Sequence, residues 1–350
     1  MKKAASVSLL YGRTTNLKKC CWKMGLKSFV KATFQKAKQP NGSPTMYEQR
    51  SKESVHSMLD SQQEVLNRET VKSGRRFLSE HVVKADGRHL FVKTAMGPES
   101  YGKIKQQVRG ARYLSHLLKD SPWLRVENIL KSDGKSLVAE WVPGGRIAEP
   151  KQFSAGENLG VIGEYVRVAA ELDDLAIKNF KSSSYMKTRL GRHRATDYKA
   201  HVEEKFTKLW SKHNWDRQDI ERALTYFDER VGTLHSTWQH GDLTPYHILR
   251  DGKHLVLVDC EHVSNAWPRF YDIANFYSHL QVRYGLDDSA DEMLDMFKEL
   301  RSEDPRDSEA FWAVAAIRTV NRIAEHQDKP EMVQRAFGLL EKIAKTKNLL

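Results

Sequence analysis

The chain has 350 residues, 40% of them apolar, with eight Trp, 12 Tyr and 13 Phe, which is enough for two domains or one two-lobed enzyme and excludes wholesale disorder. Its apolar runs, such as 255–258 and 313–317, are far shorter than the roughly 20 residues a membrane-spanning helix needs, so none is expected. The net charge of +12 is uneven: residues 1–40 hold nine Lys, one Arg and no acidic side chain, leaving 47 basic against 45 acidic side chains in the rest.

In residues 1–40, Trp22, Leu26, Phe29, Val30 and Phe34 recur at helical spacing, with Lys19, Lys23, Lys27, Lys31 and Lys38 between them. This predicts a basic amphipathic extension able to dock on an anionic membrane surface, each Lys adding about 1 kcal/mol near such a surface. A solvated tail is the alternative, and a nucleic-acid arm is a weaker one. The three cysteines, Cys20, Cys21 and Cys260, form neither a disulfide framework nor a zinc spacing. A reducing, cytoplasmic location follows, with peripheral attachment to the cytoplasmic face of a membrane if the extension docks. Residues 41–62, rich in Pro, Gly, Ser and mixed charge, read as a linker.

Residues 63–142 read as a small β-rich lobe. Strands are predicted at 77–83 and 90–94, joined through Asp86-Gly87, and at 126–131 and 136–141, joined through Asp133-Gly134. A helix over 101–119 separates the two pairs, with Ile104, Val108, Ala111, Leu114 and Leu117 on one side. After Val142-Pro143-Gly144-Gly145 the pattern turns helical through 143–350. Helices are predicted near 159–176, 197–212, 217–236, 270–283, 289–301, 307–327 and 330–347, and one strand-like patch at 247–259.

The densest chemistry lies in His240-Gly241-Asp242, with His247 five residues on, and in Leu255-Val256-Leu257-Val258-Asp259-Cys260-Glu261. Strand alternation puts Asp259 and Glu261 on one side, next to a loop carrying Asp242. Clustered carboxylates repel unless a cation joins them, and oxygen ligands suit Mg2+, which commonly shares substrate phosphates. A metal–nucleotide site is the economical explanation. Phosphoryl transfer needs cations for the developing charge, a Lys on the phosphates, and a carboxylate that orients the attacking hydroxyl. Asp242 suits the last role and Asp259 the metal.

His240-Gly241-Asp242-Leu243 through His247 resembles the HGDxxxxN loop of the aminoglycoside phosphotransferase and choline kinase superfamily. Val258-Asp259-Cys260-Glu261, followed by Asp272-Ile273-Ala274-Asn275, resembles its metal-binding segment and the helix start after it. Leu90-Phe91-Val92-Lys93 is similar to the strand bearing the phosphate-contacting Lys. Glu140-Trp141-Val142-Pro143-Gly144-Gly145 is similar to the hinge where backbone meets adenine. The likeness covers roughly residues 65–330. It implies an α+β, two-lobed, protein-kinase-like fold that binds ATP and Mg2+ (or Mn2+) between the lobes. It further implies phosphorylation of a hydroxyl on a small molecule or glycoconjugate: a sugar, an amino alcohol or a lipid-linked glycan. Carried over by motif, Asp242 is the base. Asp259, His247 and Glu261 face the metal. Lys93, Gly74, Glu140 and Val142 contact the nucleotide, and Asp272 braces the catalytic loop. His247 stands where the family has Asn, and Gln107 stands where a Glu usually pairs with the Lys. The nucleotide loop, Lys72-Ser73-Gly74-Arg75, has a single Gly. The alternative is a nucleotide-binding scaffold with weak or no turnover.

Overall fold

The computed structural model describes residues 65–153, 159–182, 204, 217–231, 236–301 and 304–347. The basic extension, the linker and all but one residue of the helix expected at 197–212 lie outside them. No helix among the described residues is long and apolar enough to cross a membrane.

The β-rich half begins with β1 (Val65–Ser73), β2 (Phe77–Lys84) and β3 (His89–Ala95). After these come α1 (Tyr101–Leu117), β4 (Leu124–Val126), β5 (Ile129–Ser132) and β6 (Ser136–Glu140). Five of the strands form an antiparallel sheet in the order β1-β2-β3-β6-β5. β1 escapes the sequence pattern because it is an edge strand exposed along most of its length, Leu66 at 65% and Val71 at 52% included. The strand expected at 126–131 is two strands. Glu127-Asn128 breaks it, and β4 leaves the sheet to pair in parallel with a strand of the other half.

Alternation along β3 sorts its side chains. Leu90 and Val92 join Val82 and Val138 on one face. Phe91 and Ala95 join Ile104, Leu137 and Ala139 beneath α1 on the other. Lys93 falls between Phe91 and Ala95 in this register, so its stem runs under α1 and only 7% of the residue is exposed. On α1 the buried positions Ile104, Gln107, Ala111, Leu114 and Leu117 repeat at helical spacing, which puts Gln107 on the stripe facing β3.

The helical half contains α2 (Leu159–Ser182), α3 (Gln218–Val231), α4 (Tyr271–His279), α5 (Asp287–Leu300), α6 (Glu309–Glu325) and α7 (Pro330–Thr346). α6 is buried on all sides from Phe311 to Ala324 and forms the centre of the core. α5 opens on Asp287 and Asp288 and carries Lys298 in its last turn, signs that match the helix dipole. α7 starts on Pro330, whose missing N–H costs nothing at the first helical position. The helix expected to run to 283 is α4 followed by a π-helical turn, Leu280–Tyr284.

The patch at 247–259 is a hairpin, β8 (Ile248–Asp251) and β9 (His254–Leu257), turning at Asp251-Gly252 as expected. A second pair, β7 (Ser236–Gln239) with β10 (Ser264–Pro268), was not expected. Parallel pairing of β4 with β9 carries the upper half onto the lower. Gly110 of α1 then lies against the turn after β9: a Cβ there would stand 2.2 Å from the Cys260 carbonyl oxygen and 2.8 Å from Val263 Cβ. Backbone cannot retreat as a flexible side chain can. Gly110→Ala should cost about 3 kcal/mol, and so lower the melting temperature by at least about 5 °C by circular dichroism. An unchanged melting curve would refute this close contact.

Candidate active site

The His240–Leu243 loop is held by one buried carboxylate. Asp272, in the first turn of α4, accepts from the backbone N–H groups of His240 (2.7 Å), Gly241 (2.8 Å) and Leu243 (3.4 Å). Burial pushes its carboxyl up to about 7, against the opposite pull of those N–H groups. Gly241 has φ of +82°, and a Cβ there would lie 2.4 Å from the His262 carbonyl oxygen, so the loop needs glycine on both counts. His240 is fully buried and its Nε2 donates to the Val258 carbonyl at 3.1 Å. Burial, and next the neighbouring His247, lower its pKa to about 3. The turn leaves the Asp242 side chain 43% exposed.

Asp259 and Glu261 come together by a different route from strand alternation. β9 ends at Leu257, Asp259 adopts a left-handed conformation with φ of 61°, and Cys260–His262 form a single 3-10 turn. Asp259 and Phe270 are the two non-glycine residues with positive φ among those described, and they flank the passage from the acidic loop to α4. Such conformations cost about 1–2 kcal/mol each and persist where packing dictates them.

Lys93 Nζ donates to Asp259 Oδ1 at 2.8 Å, joining β3 to the acidic loop, and to Gln107 Oε1 at 2.7 Å. Gln107 Nε2 donates in turn to Glu127 Oε1 at 2.7 Å. Glu261 lies on this side of the site: Oε2 is 3.6 Å from Lys93 Nζ, and Oε1 is 3.2 Å from His262 Nε2 and 3.9 Å from Arg76. Burial alone would raise the Asp259 carboxyl, but Lys93 and His247 override it and hold it at about 2. Glu261 is likewise lowered against its burial, chiefly by the His262 hydrogen bond.

His247 faces Asp259 from the other side. Its Nδ1 donates to the Asp242 carbonyl oxygen at 2.6 Å, because a carbonyl can only accept. In the neutral ring this leaves the Nε2 lone pair 3.9 Å from Asp259 Oδ2. One nitrogen and one carboxylate oxygen therefore converge, while Glu261 is turned away from them. No group of three or more His, Cys, Asp or Glu among the described residues forms a ready metal cage. The donor pair fits a cation that keeps water and substrate oxygens for its remaining positions, as Mg2+ does. The imidazole favours Mn2+ more than an amide oxygen would.

Of the expected nucleotide contacts, Gly74 occupies the exposed turn after β1, with its N–H donating to the Phe77 carbonyl at 3.0 Å. Val142 is buried beyond the end of β6. The Glu140 carboxylate is taken by Arg125, which also binds Asp251 at 2.6 Å, so Glu140 offers backbone rather than side chain. Sequence reasoning missed Glu127 and Arg125, which lie far in sequence from their partners and which no local motif announces. It met Tyr246 only as a filler position of the His240–His247 loop, without its partners His279 and Tyr284.

The model of the phosphotransferase enzyme family matches residues 68–311, which include this entire constellation. The chain belongs to that family. It is an ATP-dependent phosphotransferase acting on a hydroxyl group. No curated protein sequence matches significantly. Among solved structures it is similar to a choline kinase from Streptococcus pneumoniae, with a TM-score of 0.51, 14% identity, and coverage of 85% of this chain and 99% of that one. An aminoglycoside phosphotransferase from Alicyclobacillus acidocaldarius gives 0.51 and 14%, covering 90% and 97%. An ethanolamine kinase from Plasmodium vivax gives 0.53 and 12%, covering 85% and 87%. These likenesses show the two-lobed, protein-kinase-like fold.

Behind the catalytic loop of this phosphotransferase, the Tyr246 hydroxyl lies 2.7 Å from His279 Nε2 and 3.2 Å from the Tyr284 hydroxyl. Burial holds the His279 pKa well down, reinforced by Arg322, Arg283 and Arg318. On α2, Asp173 and Asp174 are ion-paired with Arg301, and Asp173 also with Arg269.

The depressed His240 sets a pH dependence. Its folded pKa is about 3 against an ordinary 6.5, so the unfolded chain takes up the proton first. The stability tied to the neutral ring is complete above pH 6.5 and is lost as pH falls toward 3. Melting temperatures should fall more steeply below pH 6.5 in the native protein than in His240→Gln, which keeps a donor for Val258 but does not titrate. Parallel curves for the two proteins would contradict this.

Proposed function

We propose that the chain transfers the γ-phosphoryl group of ATP to a hydroxyl on a neutral or anionic small molecule or glycoconjugate, such as a sugar or a lipid-linked glycan. Asp242 is the base, Lys93 contacts the α- and β-phosphates, and backbone at Glu140 and Val142 meets adenine, with Gly74 near the phosphates. The observation that carries the reading is the 2.8 Å contact of Lys93 with Asp259, beside a half-exposed Asp242 whose loop is fixed by Asp272. Asp259 and His247 would hold Mg2+, and Glu261 would steady Lys93 and Arg76 rather than the metal. The ion supplies positive charge against the charge that develops on the transferred phosphoryl oxygens. In the proposed reaction Asp242 accepts a hydrogen bond from the acceptor hydroxyl, orients it, and takes its proton as the new O–P bond forms and the bond to the ADP oxygen breaks.

The arginines around His279, behind Tyr246, support this acceptor class, since their charge opposes a polycation there. One solved relative of similar fold is a GDP and kanamycin complex of an aminoglycoside phosphotransferase, with a TM-score of 0.52 and 13% identity, so a nucleotide and a hydroxylated acceptor both fit this architecture.

ATP consumption should be measured against panels of sugars, amino alcohols and lipid-linked glycans. With the acceptor so found, Asp242→Asn should lower kcat by at least about a hundredfold while leaving ATP affinity within about threefold. His247→Asn should preserve or raise the Mg2+-dependent rate. Retained turnover in Asp242→Asn would refute the base, and loss of turnover in His247→Asn would refute the dispensable imidazole.

Residues 1–40, with nine Lys and one Arg, support docking of the enzyme on an anionic membrane surface, where a lipid-linked acceptor would lie. The full chain should sediment with vesicles containing phosphatidylserine, and less so with uncharged vesicles or at high salt. A chain lacking residues 1–40 that sediments equally well would refute this.

A further inference from the structure

Lys93 presents a problem that its two visible carboxylates do not solve. An ammonium 7% exposed needs a partner that stays in place while the site is working. Asp259 is 40% exposed at its side chain and, in the proposed function, faces the metal. Glu261 stands 3.6 Å away, and its Oε2 makes no hydrogen bond. The remaining hydrogen bond, to Gln107 Oε1 at 2.7 Å, and the Phe77 ring 4.5 Å from the ammonium are both uncharged.

Behind the amide lies the missing charge. Gln107 Nε2 donates to Glu127 Oε1 at 2.7 Å, and Gln107 and Glu127 are only 1% and 4% exposed. An amide can turn by 180°, and in the reverse orientation it would present its NH2 group to the ammonium. A carboxylate accepts and does not donate, so Glu127 fixes the amide with its oxygen toward Lys93. The same Oε1 accepts the Asp259 N–H at 3.3 Å. Glu127 is itself placed by its own N–H, which donates to the Leu257 carbonyl at 2.9 Å where β4 runs beside β9. One buried carboxylate thus orients the anchor of the lysine and the backbone of the acidic loop together.

We propose that Glu127 is the counter-charge of Lys93, acting at one remove through the Gln107 amide, and that it is a positioning residue for the phosphates of the bound nucleotide. This rests on the assignment of Lys93 as the phosphate contact. The arrangement predicts a charge-swap pattern. Glu127→Gln keeps an acceptor but loses the charge. Gln107→Glu sets two buried carboxylates against each other. The double exchange puts a carboxylate directly on Lys93 with a neutral amide behind it.

ATP binding to the full-length chain, measured by calorimetry in MgCl2, decides the matter, with circular dichroism melts alongside. Each single exchange should weaken ATP binding by about tenfold or more. Gln107→Glu/Glu127→Gln should return it to within about threefold of the native value. A residue that merely supported the fold would give no such recovery. Unchanged affinity in Glu127→Gln, or a double variant as weak as the singles, overturns the proposal. If a single variant fails to fold, the double variant decides alone: near-native affinity supports the relay, and a tenfold or greater loss overturns it. Failure of the native chain to bind ATP overturns the site reading and the relay together, whereas ATP binding insensitive to Glu127 overturns the relay alone.

Discussion

The contact on which the site depends is the 2.8 Å ion pair between Lys93 and Asp259. One partner comes from a strand of the β-rich half and the other from a loop of the helical half, 166 residues later. Such a pair is not strong in itself, because both charges give up water to form it. Its value lies in what must be correct for it to exist. β3 must alternate so that Lys93 lies under α1. α1 must come close enough to the Cys260 turn that only glycine fits at position 110. β4 must cross to β9, and Asp259 must take a left-handed conformation. The pair is therefore a readout of the packing of both halves, and a small shift in either one separates the charges.

The site is also unusual in its charge balance. Asp242, Asp259, Glu261, Glu127 and Asp272 all belong to one small region, and each is handled differently. Asp272 is buried and satisfied by three backbone N–H groups. Glu127 is buried behind an amide. Burial pushes it up to about 7 against the pull of the Gln107 hydrogen bond and of Lys93, and pushes Asp272 up to about 7 against its three N–H donors. Asp259 is held at about 2 by Lys93 and His247 against the effect of its burial, and Glu261 is lowered as well. The least buried of these carboxylates are those of Asp242 and Asp259, 43% and 40% exposed at their side chains. In the function proposed above, that is where a cation and a hydroxyl reach them.

The sequence made legible whatever is local. Asp-Gly turns, the α1 stripe, the helices after Gly145 that fall among the described residues and the His240-Gly241-Asp242 loop all express short-range rules, and all appear near their expected places. The joint position of Asp259 and Glu261 was inferred from strand alternation, but it arises from a left-handed residue and a 3-10 turn. A periodicity argument cannot see a backbone conformation imposed by packing. β1 was invisible because an edge strand exposed along most of its length carries no alternation. Gln107 was legible as a departure, yet its consequence was not. The carboxylate that completes it, Glu127, sits 20 residues away in a break between two short strands, where nothing in the local pattern marks it.

The two sides of the loop that carries Asp242 differ in charge. Toward β3 it faces carboxylates and a lysine. Toward α4 and α6 it faces Tyr246, and behind that the His279 ring, whose pKa is lowered by its burial and by Arg322, Arg283 and Arg318. Burying cations is costly unless something shares their field. Within the protein, the Asn275 amide oxygen accepts from both Arg318 and Arg322, and Arg322 also pairs with Glu325. Arg283 makes no ion pair among the described residues and rests over the Tyr284 ring. In the function proposed above, the arginines on that side of Tyr246 oppose the approach of a polycation. Under that reading an acceptor that presents hydroxyls, with or without an anionic group, meets no such penalty, and Asp242 would receive its proton.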